Sequence, residues 1–287
     1  MTSPFITVPE LATLLDSPVA PVVLDASCVL HPAKFDGDYR RDSGRPRWLE
    51  AHIPGSQHVD VPTQFSDTAA SLHYTHPSPQ SIAEELARIG VSATDAVVVY
   101  DSTGGLFAAR LWYLLRWIGV DVRVLDGGLG AWIAAGLTTA SGDSAARSPV
   151  EGWQAPTPLD AWITKGELVA CSESDARPLV CGLPAGSFTG SDPSRYARRG
   201  RIPGSVNVSS RDLFASDGTV KDDEFLHAAY AAEGVTGAEE VLLYCGGGIS
   251  ASANALTLVE LGVTAVRIYD GSLEEWSADE SLPLALG

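Results

Sequence analysis

Cys245 ends the apolar run Val241-Leu-Leu-Tyr244. Gly246, Gly247 and Gly248 follow it, then Ile249 and Ser250, then an apolar-periodic stretch from Ala251 to Leu261. The run reads as a buried strand, the glycines as a tight loop and the periodic stretch as a helix. Such a strand–loop–helix aims backbone N–H groups and the positive end of a helix dipole at whatever the cysteine holds. Those surroundings favour the thiolate, the nucleophilic form, so Cys245 is predicted to be a catalytic nucleophile. A buried structural cysteine beside a glycine turn is the bland alternative, but a strand-end loop is a poor place to hide a thiol.

A cysteine in a backbone cradle suits phosphoester cleavage, thiol redox exchange or sulfur transfer. Phosphoester cleavage places an arginine six residues after the nucleophile, because a dianionic ester needs a guanidinium fork. That position is Ala251. Redox exchange calls for a resolving cysteine, and the loop has none. Cys181 also ends a strand, but reads better as a small buried hydrophobe. Sulfur transfer fits best. The thiolate takes the outer sulfur of a donor, the N–H ring holds the persulfide's charge, and an acceptor thiolate or cyanide removes the sulfur. Glycines at 246, 247 and 248 let the backbone approach that sulfur.

Two copies of one plan must position this loop. The first half reads as helix Thr7–Leu15, strand Val22–Asp25, a polar loop from His31 to Glu50, a His52-Ile-Pro-Gly55 turn and strand Gln57–Asp60. Helix Ser78–Ile89, strand Ala96–Tyr100, loop Asp101–Gly105, helix Ala108–Ile118 and strand Val122–Leu125 follow, then Asp126-Gly-Gly128 and a helix around Gly130 to Ala135. The order returns with strand Leu179-Val180, turn Arg201-Ile-Pro-Gly204, strand Val206–Val208, strand Val241–Tyr244, the glycine loop, a helix, strand Ala265–Tyr269 and Asp270-Gly271. Asp101, Arg123, Asp126, Gly127 and Trp132 match Cys245, Arg267, Asp270, Gly271 and Trp276, which indicates duplication. Alternating strands and helices predict an α/β fold with a mostly parallel sheet in each half. The expected boundaries are an inactive domain at 1–140, a Ser-, Gly- and Pro-rich linker at 141–157 and a catalytic domain at 158–287. Asp101 stands where the nucleophile would be, so the first half is expected to close one wall of the site. Asp101, Asp126 and Asp270, at strand ends, are expected to hold neighbouring backbone N–H groups.

The 287 residues, 45% hydrophobic and 19% charged, can bury a core in each half. A net charge of −17 argues against nucleic acid and anionic membrane surfaces, though a locally positive pocket can sit in an acidic protein. The cysteines Cys28, Cys171, Cys181 and Cys245 show neither metal-site nor disulfide spacing, and no metal or cofactor is expected. No signal peptide or membrane-length apolar run is visible, so a reducing cytoplasm is the expected setting. Oligomeric state is left open.

The chain resembles the tandem-domain rhodanese family, the thiosulfate and 3-mercaptopyruvate sulfurtransferases. The resemblance spans nearly the whole chain. It rests on His52-Ile-Pro-Gly55, Arg201-Ile-Pro-Gly204-Ser-Val-Asn207, Leu125-Asp-Gly-Gly128 with Trp132, Tyr269-Asp-Gly271 with Trp276, and the loop from Cys245 to Ser250. It implies two α/β domains, an inactive first and a catalytic second, with the site at their interface. Thiosulfate-type members carry an arginine and a lysine straight after the cysteine, where this chain has Gly246 and Gly247. The mercaptopyruvate type is closer, but its third loop position is usually a serine bonded to a histidine and an aspartate of the first domain. The resemblance sets His52 and Asp42 in those partner positions, while the serine is Gly247, leaving Ser250 or water to substitute. Of the family's two carboxylate-holding arginines, Arg195 matches one and Ser187 stands at the other, so Arg198, Arg199 or Arg201 would have to supply the missing charge. Gly246, Gly247, Gly248, Ile249 and Ser250 form the implied sulfur cradle. Cys181 occupies a usual aspartate position. The resemblance implies an enzyme passing sulfane sulfur from 3-mercaptopyruvate or thiosulfate to a thiol or cyanide through a Cys245 persulfide. A non-catalytic sulfur-binding or scaffold protein is the alternative that the lost serine, arginine and loop cations suggest.

Overall fold

A computed structural model describes residues 3–170 and 176–287; Cys171 lies outside the described residues. The first half builds a sheet from β1 (Phe5–Ile6), β2 (Val22–Asp25), β5 (Gln57–His58), β6 (Val97–Tyr100) and β7 (Val122–Leu125). All are parallel, in the order β1-β7-β6-β2-β5. Between β2 and β5 lies an antiparallel pair, β3 (Cys28–Leu30) with β4 (Arg41–Ser43). The second half builds β8 (Leu179–Cys181), β9 (Val206–Asn207), β10 (Val241–Tyr244) and β11 (Val266–Ile268) into a parallel sheet ordered β11-β10-β8-β9. Trp162 adds one parallel bridge outside β11 at Ile268, as β1 lies outside β7. Strands β2, β6 and β10 are buried along their whole length, because helices cover both sheet faces. Residues 141–157 hold no helix or strand; they are tied to the first half, Val150 N–H to Ala87 and the Trp153 indole N–H to the carbonyl of Val91.

The expected polar loop at 31–50 is corrected in part. Besides pairing β3 with β4, this region forms a helix, Arg45–Glu50, with Pro46 in its first turn. Of its two strongly apolar residues, Trp48 and Leu49, only Trp48 is buried, and it stacks on the His52 ring at 4.2 Å. One anchoring side chain gives no periodicity, so polarity alone misreads the segment.

The helix after β6, Leu106–Trp117, and the helix after β10, Ile249–Glu260, pack against each other across the two halves. Both are buried nearly all round; in the first only Arg116 escapes. The loop beginning each helix is thereby drawn to the seam between the halves.

Two carboxylates make that seam reciprocal. Asp126 of the first half accepts the N–H of Val220 in the second at 2.7 Å, and Asp270 of the second accepts the N–H of His76 in the first at 2.7 Å. The two aspartates thus reach across the molecule, beyond the neighbouring backbone that the sequence suggested, although Asp126 also takes the N–H of Gly127. Arg110, fully buried, adds an ion pair to Asp270 at 2.8 Å and packs over the Trp162 ring. Removing one partner of a buried ion pair costs about 3–5 kcal/mol. Asp270→Asn is therefore expected to lose about 3 kcal/mol in denaturant unfolding. Asp126→Asn, which keeps an acceptor and breaks no ion pair, is expected to lose less than about 1 kcal/mol.

Candidate active site

Cys245 follows β10 at the seam, 2% exposed, on a cavity of about 610 Å³ lined from both halves. Its carbonyl and that of Gly246 accept the N–H groups of Leu273 and Glu274 at 3.2 and 3.0 Å. In a trans peptide the next N–H points opposite the carbonyl, so Gly246 and Gly247 turn theirs away from the 272–278 helix. The Cys245 N–H donates to Ser272 Oγ at 3.0 Å, and that hydroxyl donates to Tyr269 O. The helix begins at Ile249 behind a left-handed Gly248, φ 79°, with no side-chain cap. Its first-turn N–H groups, which no intrahelical carbonyl can reach, complete the cradle. Ile249 and Ser250 therefore belong to the helix start, and both line the cavity.

The first half shows what such a cradle takes. Asp101 follows β6 as Cys245 follows β10, and its carboxylate accepts the N–H groups of Thr103 and Gly105 at 2.8 Å and Ala108 at 3.0 Å. The loop of the first half carries its own anion. Its loop is also one residue longer. The strands are offset by 144 residues, whereas the left-handed caps Gly105 and Gly248 are offset by 143.

The three glycines differ in need. A Cβ at Gly248 would lie 2.5 Å from Asp270 Oδ1 and 2.6 Å from Arg110 Nη1, in a backbone that already disfavours side chains. At Gly246 it would overlap the Tyr196 hydroxyl. At Gly247 its neighbours stand at 3.4 Å or beyond, so the family's serine would fit. The contact at Gly248 also places the Arg110 guanidinium directly behind the loop, a buried positive charge that sequence reasoning missed.

Of the basic run, Arg195 lines the cavity, its guanidinium 6.0 Å from the Tyr39 ring and its buried Nη1 without a hydrogen-bond partner. Arg199 also lines it but is spent on Asp36 of the first half through two bonds of 2.9 Å. Arg198 donates to the carbonyls of Trp276, Ser277, Asp279 and Leu282, and Arg201 packs on Phe188 and donates to Gly287 O. Neither Arg198 nor Arg201 lines the cavity, which corrects the expectation for Arg201. The third cation on the wall is Arg211, from the turn Ser210–Leu213, an isolated arginine with no sequence signal. Tyr39 and Tyr74 of the first half and Tyr196 of the second were missed as well. Burial pushes the Tyr39 and Tyr196 phenols up and the Tyr74 phenol up to about 12.

His52 and Asp42 are not brought together, nor to Cys245. The His52 ring is 1% exposed, with Nδ1 at 2.8 Å from Trp48 O and Nε2 at 2.8 Å from Ser144 Oγ. Both nitrogens are used beside the Pro-Gly turn, so the ring is a structural cap. Asp42, exposed on β4, pairs with His31 at 2.7 Å. Neither lines the cavity, and the expected relay through them is withdrawn. Cys181 is fully buried, and desolvation pushes its thiol up to about 12, as it does for Cys28.

The chain matches the family described as the rhodanese-like domain over residues 9–135 and 190–279. The chain belongs to the rhodanese family. It is 32% identical to a 3-mercaptopyruvate sulfurtransferase of Escherichia coli (strain K12), over 83% of this chain and 84% of that one. It is 31% identical to the putative thiosulfate sulfurtransferase SseB of Mycobacterium tuberculosis (strain CDC 1551 / Oshkosh), over 85% and 86%. The crystal structure of SseA, a 3-mercaptopyruvate sulfotransferase from Escherichia coli, superposes with a TM-score of 0.79 at 29% identity, covering 94% of this chain and 99% of that one. The rhodanese-like segments bracket both loops, the one with Asp101 and the one with Cys245.

Gly248→Ala is expected to cost about 2 kcal/mol or more in denaturant unfolding, from strain plus contact with the Arg110–Asp270 pair. Gly247→Ser is expected to stay within about 0.5 kcal/mol of the parent. Among Cys28, Cys181 and Cys245, alkylation of the native protein followed by peptide mapping is expected to mark Cys245, because it alone lines a cavity.

Proposed function

We propose that the protein is a sulfurtransferase that carries sulfane sulfur on Cys245, with an α-keto thiol of the 3-mercaptopyruvate type as donor. The observation that carries this reading is the paired cradle. Loop and first-turn N–H groups of the kind that a carboxylate fills after Asp101 face, after Cys245, a cavity that a small anion can enter.

Cys245 Sγ, as thiolate, attacks the donor's sulfur. The carbon–sulfur bond breaks, the electron pair leaves with pyruvate as its enolate, and solvent protonates that carbon. The persulfide's charge is held by the loop N–H groups, with the Arg110 charge behind them. An acceptor thiolate or cyanide then attacks the outer sulfur, giving an acceptor persulfide or thiocyanate and restoring the thiolate. Donor choice follows from where the cations lie. None is in the loop, which disfavours a compact dianion charged at the reacting sulfur. Arg195 and Arg211 stand on the cavity wall, suited to a carboxylate a few atoms away from the sulfur. The names of the similar E. coli and M. tuberculosis proteins support the reaction class. The acceptor is a small thiophile, and a reducing cytoplasm would keep the thiol free.

Treatment with 3-mercaptopyruvate is expected to add the mass of one sulfur atom to Cys245, with turnover on this donor exceeding that on thiosulfate. Cys245→Ser is expected to abolish both. Arg195→Leu is expected to raise KM for 3-mercaptopyruvate about 10- to 100-fold, the loss of a charge-assisted pair. Full turnover by Cys245→Ser, or no turnover of either donor by the parent protein, would sink the reading.

A further inference from the structure

The segment 73–76 of the first half crosses the seam and is pinned on every side. His73 gives its N–H and its ring Nδ1 to Glu274 at 3.1 and 2.6 Å, the Tyr74 carbonyl accepts from Arg110 at 2.6 Å, and the His76 N–H goes to Asp270. Within this clamp Tyr74 holds φ 60°, a left-handed conformation costly for a bulky residue. The reciprocal bonds of Asp126 and Asp270 set the register of the two copies here, matching His76 with Val220. Two residues earlier they match Tyr74 with Gly218, whose φ is 85°. Both halves therefore take a left-handed backbone at this position. In the copy facing the Asp101 loop the strained position is glycine, and in the copy facing Cys245 it is tyrosine.

The side chain kept at that cost is 4% exposed, packs edge-on against Phe107, and lines the Cys245 cavity. Its hydroxyl is buried without a hydrogen bond of ordinary length, beside the Tyr39 phenol, which lines the same cavity. A buried hydroxyl without a partner costs about 1–3 kcal/mol, so a strained backbone delivering one into a reactive cavity points to a group that arrives with the substrate. Burial keeps the phenol protonated, which makes it a hydrogen-bond donor and not a base. It also comes from the wall that meets Gly247, where its Cδ2 would stand 3.7 Å from a Cβ.

We propose that Tyr74 is a catalytic residue contributed by the first half, whose O–H donates a hydrogen bond to the keto oxygen of the donor as the carbon–sulfur bond breaks. This rests on the α-keto donor reading above. In that step the sulfur passes to Cys245, the electron pair flows into the departing enolate, and negative charge grows on the oxygen that Tyr74 meets. The proton stays on Tyr74, and solvent protonates the enolate carbon. The phenol takes up part of the work that the family's loop serine leaves undone at Gly247, and it acts only in the first half-reaction.

Single-turnover kinetics on the full chain separate the halves of the reaction. Tyr74→Phe is expected to slow Cys245 persulfidation by 3-mercaptopyruvate about 10- to 100-fold, to leave transfer from the preformed persulfide to cyanide within about twofold, and to melt no lower than the parent, since the lost hydroxyl makes no hydrogen bond of ordinary length. Persulfidation as fast as in the parent overturns the proposal, and so does equal slowing of both half-reactions, which would make the phenol a packing group. A parent protein that forms no persulfide from 3-mercaptopyruvate overturns the donor reading along with it; a parent that does, matched by Tyr74→Phe, overturns this proposal alone.

Discussion

Backbone N–H groups at the start of a helix must be satisfied from outside the helix, and this chain meets that demand twice in different ways. After β6 the answer is built in, with the Asp101 carboxylate taking two of these donors, Gly105 and Ala108, and the loop N–H of Thr103. After β10 the side chain at the same point is a thiol, and the cap Gly248 has no side-chain acceptor. The chemistry of the protein follows from that difference. A fixed carboxylate neutralises its cradle and stops there, whereas sulfur can hold the negative charge, extend by one atom and give that atom away.

The seam makes the second cradle usable. Each half sends a carboxylate across to a backbone N–H of the other, and the helices behind the two loops pack together, so the loops cannot drift apart without unfolding a shared core. The Arg110–Asp270 pair sits where a Cβ on Gly248 would be, tying the second half's loop to a first-half helix. A chain with net charge −17 can thus gather cations at its cavity, where Arg195, Arg199 and Arg211 outnumber the single carboxylate of Asp192 among the lining residues.

Much of this was legible in the sequence. The duplication, the two parallel sheets, the strand–loop–helix at Cys245 and the family resemblance all follow from local patterns that repeat in order. The missed features depend on distance in space. Tyr74, Arg211 and Tyr196 reach the cavity from three separate segments, and only Tyr196 adjoins a residue that the sequence singled out, Arg195. His52 was misplaced for the opposite reason: its motif is real, but the Pro-Gly turn uses the ring for its own closure through Trp48 and Ser144. Arg198 and Arg201 belong to a conspicuous basic run whose charges are spent on carbonyls of the last turns of the chain.

The single extra residue between Asp101 and Gly105 has a consequence for how the two halves can diverge. Swapping Asp101 for cysteine would not make a second working loop. The cap lies one step further on, so the N–H groups would converge on a different point than they do around Cys245, and the turn opposite presents bare Gly218 in place of a phenol. A cysteine loop like the second half's is therefore blocked in the first half by length as well as by identity. A reversal would need a deletion, a substitution in the loop and another across the seam together, so the asymmetry acts as a ratchet that holds one half to the role of wall.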